Sequence, residues 1–320
     1  MNILKASRTY SGLLVIGDPH LEARVPGFRK DDYPAVTLEK LRWAIAYAAN
    51  NTLLPLVTGD LFNLPRSNPN WLLVEVIRLF DREIFFIYGN HDVHENSLSS
   101  DDSISVLAEA RKGCLLGENA VIVEMTNGRQ VVVGGSSWGS LLPGKMALPF
   151  EKGPGMFVVW LTHHDIKVPG YEEKGYLRPK ELPGIDMVIN GHVHRRLDAV
   201  KKGGTLWLTP GNISRRSRSD AARSHIPAVL RIDGINDGSF ASSHVEVPHQ
   251  PYDEVFHEAV IEAVEEERSS IFVAGLAELE SRRTQTGNGL KAFLEKNLDR
   301  FETDVADEIR KLAEKVTGNE

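Results

Sequence analysis

Polar side chains of the types that bind divalent metals occur in five short clusters within the first 194 residues. Asp, Asn and His supply the oxygen and nitrogen atoms that hard and borderline divalent cations prefer. Each cluster directly follows a short apolar run, where a buried strand should end and turn, and open α/β sheets place their chemistry at such strand ends. The clusters span residues 17–20, 59–60, 89–92, 162–165 and 191–194.

The apolar runs before these clusters have the features of buried strands. They are short, rich in β-branched and aromatic residues, and bounded by Gly, Pro or Asn. A simpler interpretation is that each Gly-Asp or Gly-Asn pair is only a turn, because these residues are common in turns. The recurrence of potential ligands after every run favours a metal site instead. The runs span residues 13–16, 53–57, 84–88, 157–161 and 185–189.

Helical patterns separate the first three predicted strands. Apolar residues recur at helical spacing over residues 35–50 and 71–80, and this alternation of strand and helix predicts a parallel sheet with helices packed on it. Two hairpins are predicted farther along, within residues 121–133 and 197–209. Parallel units followed by hairpins predict two packed sheets, with the ligand loops converging on one edge.

The end of the chain differs in composition from the rest. Residues 234–251, rich in Gly, Ser, His and Pro, are interpreted as the boundary between a catalytic domain (1–250) and a helical tail (251–320). Residues 252–320 carry 17 acidic and 9 basic side chains, so the net charge of −7 belongs to the tail and does not exclude a polyanionic substrate. An amphipathic stripe is predicted there from Leu290, Leu294, Leu298, Phe301, Val305, Ile309, Leu312 and Val316.

The overall composition is that of a globular protein. Of the 320 residues, 42% are hydrophobic and 25% are charged, which are ordinary values. The single cysteine, Cys114, excludes an internal disulfide and fits a reducing compartment. The first residues lack the apolar core of a signal peptide, and no apolar run approaches the roughly 18 residues of a membrane span. We therefore expect a soluble, cytoplasmic protein that does not bind membranes.

The order of the clusters, D-x-H, G-D, G-N-H-D, H and G-H-x-H, resembles that of the calcineurin-like metallophosphoesterases over about residues 10–215. The resemblance implies an α/β fold, a two-sheet αβ-βα sandwich that holds two divalent metal ions. Mn²⁺ is the expected metal, with Fe, Zn²⁺ or Ni²⁺ as alternatives, because an oxygen and nitrogen ligand set accepts several. The implied ligands are Asp18, His20 and His194 for the first ion, Asn90, His163 and His192 for the second, and Asp60 as the bridge between them.

The same resemblance assigns roles to residues beside the ligands. His91 matches the family's catalytic histidine that does not bind metal, and Asp92 would orient His91 or shape its loop. His163 is the expected ligand of the adjacent pair, so His164 would face a neighbouring loop or the substrate. Asn63 stands where many members have an acidic residue, which puts the surroundings of Asp60 in question.

Phosphoester hydrolysis explains why these residue types are needed together. A phosphodiester is anionic and repels hydroxide, whereas two cations roughly 3.5–4 Å apart neutralise that charge and lower the pKa of a bridging water. We therefore expect attack by a metal-bridging hydroxide. The expelled alkoxide is a poor leaving group, and protonation by His91 would accelerate its departure by roughly 10²–10⁴. The alternative for His91 is a structural loop histidine.

The substrate is predicted from the basic loop that follows the second hairpin. Arg215 and Arg216 are expected to contact substrate phosphates, with His164 as a further candidate; alternatively, these arginines lie in a solvated or ion-paired loop. The plan resembles SbcD-type DNA nucleases, whose helical tail docks on an SMC-like ATPase. Here the tail would bind such a partner, form a homodimer or pack on its own domain. The alternatives to a nuclease are a phosphatase or small-molecule or cyclic-nucleotide phosphodiesterase, and a non-catalytic scaffold.

Overall fold

Two β-sheets and five helices are present in the computed structural model, which describes residues 2–117, 119–143, 152, 155–172, 175–236 and 239–257. The helices are α1 (Tyr33–Asn50), α2 (Asn70–Leu79), α3 (Ser103–Glu109), α4 (Asp220–Ser224) and α5 (Tyr252–Val255). The strands are β1 (Asn2–Lys5), β2 (Gly12–Ile16), β3 (Leu53–Val57), β4 (Phe85–Phe86), β5 (Cys114–Leu115), β6 (Asn119–Glu124), β7 (Gln130–Ser136), β8 (Phe157–Thr162), β9 (Met187–Asn190), β10 (Leu197–Lys202), β11 (Thr205–Thr209), β12 (Ala228–Asn236) and β13 (Ser239–Glu246).

The strand order confirms the predicted two-sheet arrangement. One sheet has seven strands in the order β1-β6-β7-β8-β9-β11-β10, and the other has six in the order β13-β12-β2-β3-β4-β5. Strands β2 to β5 are parallel, as the alternation of strands and helices predicted. Both predicted hairpins form, as β6–β7 and β10–β11.

Three apolar layers hold the sheets in place. Side chains such as Val15 and Leu56 from the six-stranded sheet pack against Val133 and Leu161 from the seven-stranded sheet. A second layer joins the outer face of the six-stranded sheet to α1, α2 and α3. A third covers the outer face of the seven-stranded sheet with the segment 166–185, in which the described residues form no helix. The central strands are buried on both faces, which is why they read as continuous apolar runs.

Helix α1 shows how the local sequence sets the element boundaries. The Asp32 side chain caps its N-terminus by accepting a hydrogen bond from the Ala35 amide at 3.2 Å, and Pro34 occupies the first turn, where a missing N–H has no cost. The buried residues recur along one face of the helix, which packs on β2 and β3. This helix is the connection between the parallel strands β2 and β3, which the first two ligand loops follow.

Most of the predicted boundary region at 234–251 holds strand structure, and the division into domains at 250–251 stays a prediction. Residues up to 246 belong to the β12–β13 hairpin, which extends the six-stranded sheet. Strand β13 lies at the sheet edge and is mostly exposed, so its polar sequence resembled a linker. By internal contacts the chain divides into Met1–His257 and Glu258–Glu320. The predicted tail helix over 290–316 lies outside the described residues.

None of the helices in the described ranges has the length and apolar content that a membrane span requires.

Candidate metal centre

The predicted ligands lie at adjacent strand ends in both sheets. Strands β2 and β3 pair in parallel up to Ile16 and Val57, so the loops that carry Asp18 and Asp60 leave the six-stranded sheet side by side. Strands β8 and β9 pair in parallel up to Thr162 and Asn190, and their loops carry His163 and His192. The carboxyl ends of parallel strands meet at one edge, which brings residues far apart in sequence together.

Backbone conformation is strained at these strand ends. Positive φ angles occur at Asp18 (29°), His20 (47°), Asp60 (47°) and His192 (67°). Residues with a Cβ rarely adopt this left-handed conformation, and such strain persists where the surrounding structure enforces it, most often at functional sites. Of the seven described non-glycine residues with positive φ, four therefore lie in the ligand loops.

The first group of donors comprises Asp18, His20, Asp60 and His194, whose ligand atoms all lie within 4.8 Å of one another. The Nε2 atoms of His20 and His194 are 2.9 Å apart. Nε2 of His194 is 3.6 Å from Oδ2 of Asp18, and Nε2 of His20 is 3.4 Å from Oδ2 of Asp60. This matches the set predicted for the first ion together with the predicted bridge.

The second group comprises Asp60, His163 and His192. Nε2 of His163 is 3.3 Å from Oδ2 of Asp60, and Oδ1 of Asn90 lies 3.0 Å from Nδ1 of His192. Asp60 belongs to both groups, as expected of a bridging carboxylate. All seven predicted ligands are therefore brought to one place, and their role as ligands stays a prediction.

Several atoms of the buried donors make no hydrogen bond to the described part of the protein. Asp18, His20, Asp60 and His163 are each at most 1% exposed. Among the described residues, Oδ2 of Asp18, Oδ2 of Asp60 and Nε2 of His163 make no hydrogen bond, although the last two atoms lie 3.3 Å apart. Burying polar atoms without compensation is costly, and burying charge is more so. A pair of divalent cations would satisfy these atoms, so the donor set fits the metals that the motifs imply.

The pKa values of the central groups reflect the same crowding. Burial raises the pKa of Asp18 to about 7. Burial opposes ionisation of Asp60 as well, yet the neighbouring His163, His91 and His20 lower its pKa well below the usual range. Burial disfavours a charged His163, but the carboxylates of Asp60 and Asp18 outweigh it and raise the pKa of this ring to about 10. The buried carboxylates of Asp18 and Asp60 are therefore stabilised by nearby positive charge, here that of His163.

A family model described as calcineurin-like phosphoesterase matches residues 12–196, more than half of the chain and the part that holds all seven predicted ligands. The chain belongs to the calcineurin-like phosphoesterase family. Its members are metal-dependent phosphoester hydrolases, and the two-sheet fold described above is theirs. No curated protein matches the sequence.

Two solved structures are similar to this calcineurin-like phosphoesterase. One, from Streptococcus pneumoniae, is described as a conserved uncharacterized protein and predicted phosphoesterase; it is 13% identical, with a TM-score of 0.35, over 77% of this chain and 95% of that one. The other is a hypothetical protein from Thermus thermophilus, 13% identical, with a TM-score of 0.42, over 74% of this chain and 99% of that one.

Two histidines of this phosphoesterase are held in place by hydrogen bonds on the side away from the centre. Nδ1 of His163 donates to the Thr58 carbonyl at 2.7 Å, which turns Nε2 toward Asp60. Nε2 of His192 donates to Oδ1 of Asp165 at 2.8 Å, which leaves Nδ1 facing Asn90. Such outer contacts fix the tautomer and the orientation of a metal-binding imidazole.

Sequence reasoning missed the roles of Asp165 and Trp138. The signal for Asp165 was present, because it lies two residues after His163 in the fourth cluster. Trp138 follows β7 and stacks on His192 with ring centroids 5.3 Å apart. No potential ligand accompanies Trp138 in the sequence, so nothing there connected it with the site.

His91 is oriented by Asn63 rather than by Asp92. Its Nδ1 lies 2.9 Å from the Asn63 carbonyl, which can accept a hydrogen bond from it, and its ring meets His20 edge-on at 4.8 Å between centroids. The Asn63 side chain donates to Glu22 at 2.6 Å. The position that departs from the family pattern thus supports the histidine predicted to be catalytic, through its backbone carbonyl.

Asp92 shapes the loops and does not contact the His91 ring. Its carboxylate accepts hydrogen bonds from the amides of Gly89 and Phe62, both at 2.9 Å, and of Leu61 at 3.2 Å. These bonds tie the third ligand loop to the second. Of the two predicted roles, loop shaping fits this geometry, and we correct the catalytic assignment of Asp92 accordingly.

The three residues predicted to contact substrate have different surroundings in the structure. Nε2 of His164 lies 2.8 Å from the Ser140 carbonyl, so His164 faces a neighbouring loop. Arg215 is buried and donates to the carbonyls of His225 (2.9 Å) and Gln250 (2.8 Å), which corrects its assignment to substrate binding. Arg216 lies close enough to the centre that its charge lowers the pKa of three of its histidines, second to burial and the opposing effect of Asp60.

Proposed function

We propose that this phosphoesterase hydrolyses phosphodiester bonds in nucleic acid, as an SbcD-like DNA nuclease does. One observation carries the proposal: two groups of donors share the buried Asp60, and the charge of Arg216 acts on His20 of the first group. A doubly occupied centre suits an anionic diester, and an additional guanidinium suits a substrate with further phosphates next to the scissile bond.

The protein prepares this centre through fixed orientations. Oδ1 of Asp60 accepts a hydrogen bond from the His91 amide at 2.8 Å, so Oδ2 is the oxygen that remains available to bind metal. The tautomers of His163 and His192 are set by Thr58 and Asp165. Two divalent cations bound here would neutralise phosphate charge and lower the pKa of a coordinated water. We propose two Mn²⁺ ions, because Mn²⁺ accepts both oxygen and nitrogen ligands.

Protonation of the leaving group is the role that we propose for His91. With Nδ1 donating to the Asn63 carbonyl, His91 would act as a general acid in its charged form, in which Nε2 carries the proton that is transferred. Protonating the departing alkoxide oxygen from this atom would avoid release of a strong base. General-acid catalysis of this kind contributes roughly 10²–10⁴ to the rate.

Arg216 is the proposed contact to a neighbouring phosphate. Its charge lowers the pKa of His20 and His194, which belong to the first donor group, and of His91, whose ring packs on His20; these effects support a position of Arg216 near that group. A contact to phosphate oxygens one nucleotide away would strengthen binding of a polymer without touching the reacting atoms. The near-neutral charge outside residues 252–320 permits such a polyanion to approach.

The test compares substrates and one variant. With Mn²⁺, single- and double-stranded DNA should be cleaved, and bis-p-nitrophenyl phosphate should be hydrolysed faster than p-nitrophenyl phosphate. Arg216→Met should raise KM for DNA about tenfold, as expected for loss of one charge-assisted phosphate contact, and should leave KM for the small diester nearly unchanged.

Arg82→Met is the matched control. Arg82 is exposed and lies before β4, at the opposite end of the sheet from the ligand loops, so its loss should leave both KM values unchanged. Preference for the monoester with no cleavage of DNA would contradict the nuclease proposal and favour a phosphatase. Failure to hydrolyse any phosphoester would contradict the catalytic function itself.

A further inference from the structure

A cationic cavity lies at the start of α1, and Arg215 forms part of its wall. Its volume is about 330 Å³, at the lower end of the range of small-molecule sites. It shares no residue with the candidate metal centre. Part of its wall is apolar, from Val36, Pro248 and Val255. The polar residues that line it are Arg29, Asp31, Lys40, Arg215, His249 and Gln250.

Only one of the three buried cations here is matched by a carboxylate. Nε and Nη2 of Arg29 donate to the two oxygens of Asp31 at 2.7 and 2.6 Å, and Nη1 donates to the Arg215 carbonyl. Within the described ranges, the Arg215 guanidinium donates only to carbonyl oxygens, those of His225 and Gln250. Arg29 and Asp31 thus balance each other, and the charge of Arg215 is left over.

Lys40 contributes the second unmatched charge. Its side chain is 7% exposed, and within the described part of the chain its ammonium has no hydrogen-bond acceptor and no ion-pair partner. Burial, with smaller effects from Arg29 and Arg215 and against the weaker opposing effect of Asp31, lowers the pKa of Lys40 to about 8. Lys and Arg are almost never fully buried unless they are paired, so a buried unpaired ammonium that lines a cavity points to a missing anion.

We propose that this cavity binds a phosphate dianion, either free phosphate or the phosphate of a small monoester. The lining holds three cationic side chains against one carboxylate, so two positive charges require compensation. A dianion supplies both charges, whereas a carboxylate supplies one. Phosphate oxygens also suit the remaining donors, the three hydrogens of Lys40 and the free Nη2 of Arg215.

This inference does not depend on the hydrolytic function. A chain without any phosphoesterase activity would still hold the cavity, and an active enzyme could lack the anion. The cavity nevertheless adjoins the catalytic side through the chain, because Arg215 forms its wall and the next residue is Arg216. An occupied cavity would hold this loop more firmly.

Calorimetric titration of the metal-loaded, full-length protein tests the proposal. With inorganic phosphate, the wild type should bind one equivalent more than Lys40→Met, or the affinity of that event should fall at least tenfold in the variant. Phosphate bound at the metal centre is common to both proteins and cancels in the comparison. Lys201→Met, the same change at an exposed lysine of β10, should bind like the wild type.

Two further arms make the result decisive. Val36→Phe should fill the cavity and abolish the same binding event without removing a charge, which covers the case of a poorly folded Lys40→Met. Adenosine 5′-monophosphate replaces phosphate in a parallel titration. Tighter binding of either compound supports the dianion site and shows whether the bound dianion is free phosphate or the phosphate of a monoester. Equal binding of phosphate by wild type, Lys40→Met and Val36→Phe would overturn the proposal, as would equal binding of acetate at the same site.

Discussion

His91 carries the clearest prediction at the scale of single residues. It contacts the Asn63 carbonyl and the His20 ring but belongs to neither donor group. His91→Ala should therefore keep both metal ions and lose roughly 10²–10⁴ in turnover of a phosphodiester, because only the proton donor is removed. Metal content by mass spectrometry and the rate on bis-p-nitrophenyl phosphate measure the two effects separately.

His94→Ala is the control for this change, since His94 is an exposed histidine three residues farther along. It should retain both the metal content and the rate. Unimpaired diester turnover in His91→Ala would remove the leaving-group role from this residue.

Asp165 gives a second prediction at the residue scale. Its carboxylate holds Nε2 of His192, so Asp165→Asn should preserve the shape but weaken the orientation and basicity of the imidazole. Loss of such an outer partner typically costs 10–100-fold in metal affinity. Competition with a fluorescent chelator measures that affinity, and Asp198→Asn, on the exposed face of β10, is the matched control. Equal affinities in the two variants would show that Asp165 does not support the ligand.

The role of a residue was predictable from the sequence where a motif determines that role, and less predictable where packing determines it. The seven donors follow strands at recognisable spacings, and the structure gathers them. Arg215 and Arg216 are adjacent and chemically identical, so the sequence could not tell that one is buried against carbonyls and the other lies beside the histidines. The contacts of Asp92 to backbone amides depend on the mutual placement of two loops, which no local pattern encodes.

At the scale of elements, the ligand loops are packed with almost no spare room. A Cβ at Gly89 would lie 2.1 Å from Oδ1 of Asp60 and 2.6 Å from its amide nitrogen. Gly89→Ala must therefore displace the shared carboxylate or its backbone. We expect a loss of about 1–3 kcal/mol in the free energy of unfolding, typical of overpacking, together with weaker metal binding.

Urea unfolding and metal titration of Gly89→Ala check this expectation. Gly27→Ala is the control, because a Cβ there meets nothing within 4 Å and the backbone is not in the left-handed region. A Gly89→Ala protein with wild-type stability and metal affinity would mean that the two loops are not in close contact.

Elements were predictable where burial makes them apolar on both faces. Strands β2, β3, β8 and β9 match the predicted runs closely, and α1 and α2 match the helical spacing. Strand β4 is reduced to Phe85–Phe86, although the apolar run is longer. Strand β1 and strand β13 were not predicted because both are edge strands with mostly exposed side chains.

At the scale of the whole molecule, the site exists only because both sheets contribute to it. Asp18, Asp60 and Asn90 follow strands of the six-stranded sheet, whereas His163 and His192 follow strands of the seven-stranded sheet. Cations bound between them would link the two sheets. The proposed ATPase partner or homodimer would use the predicted tail helix, which lies outside the described residues.

Metal stoichiometry in the wild type and in Asp60→Ala, measured on the same samples as phosphodiester hydrolysis, tests the central claim most directly. Asp60 is the one residue shared by both donor groups, so its loss should impair both sites at once. The account predicts two divalent ions per chain and active enzyme in the wild type, and loss of metal and activity together in Asp60→Ala. A wild type that binds no divalent metal, or an Asp60→Ala variant that hydrolyses the diester at the full rate, would contradict it.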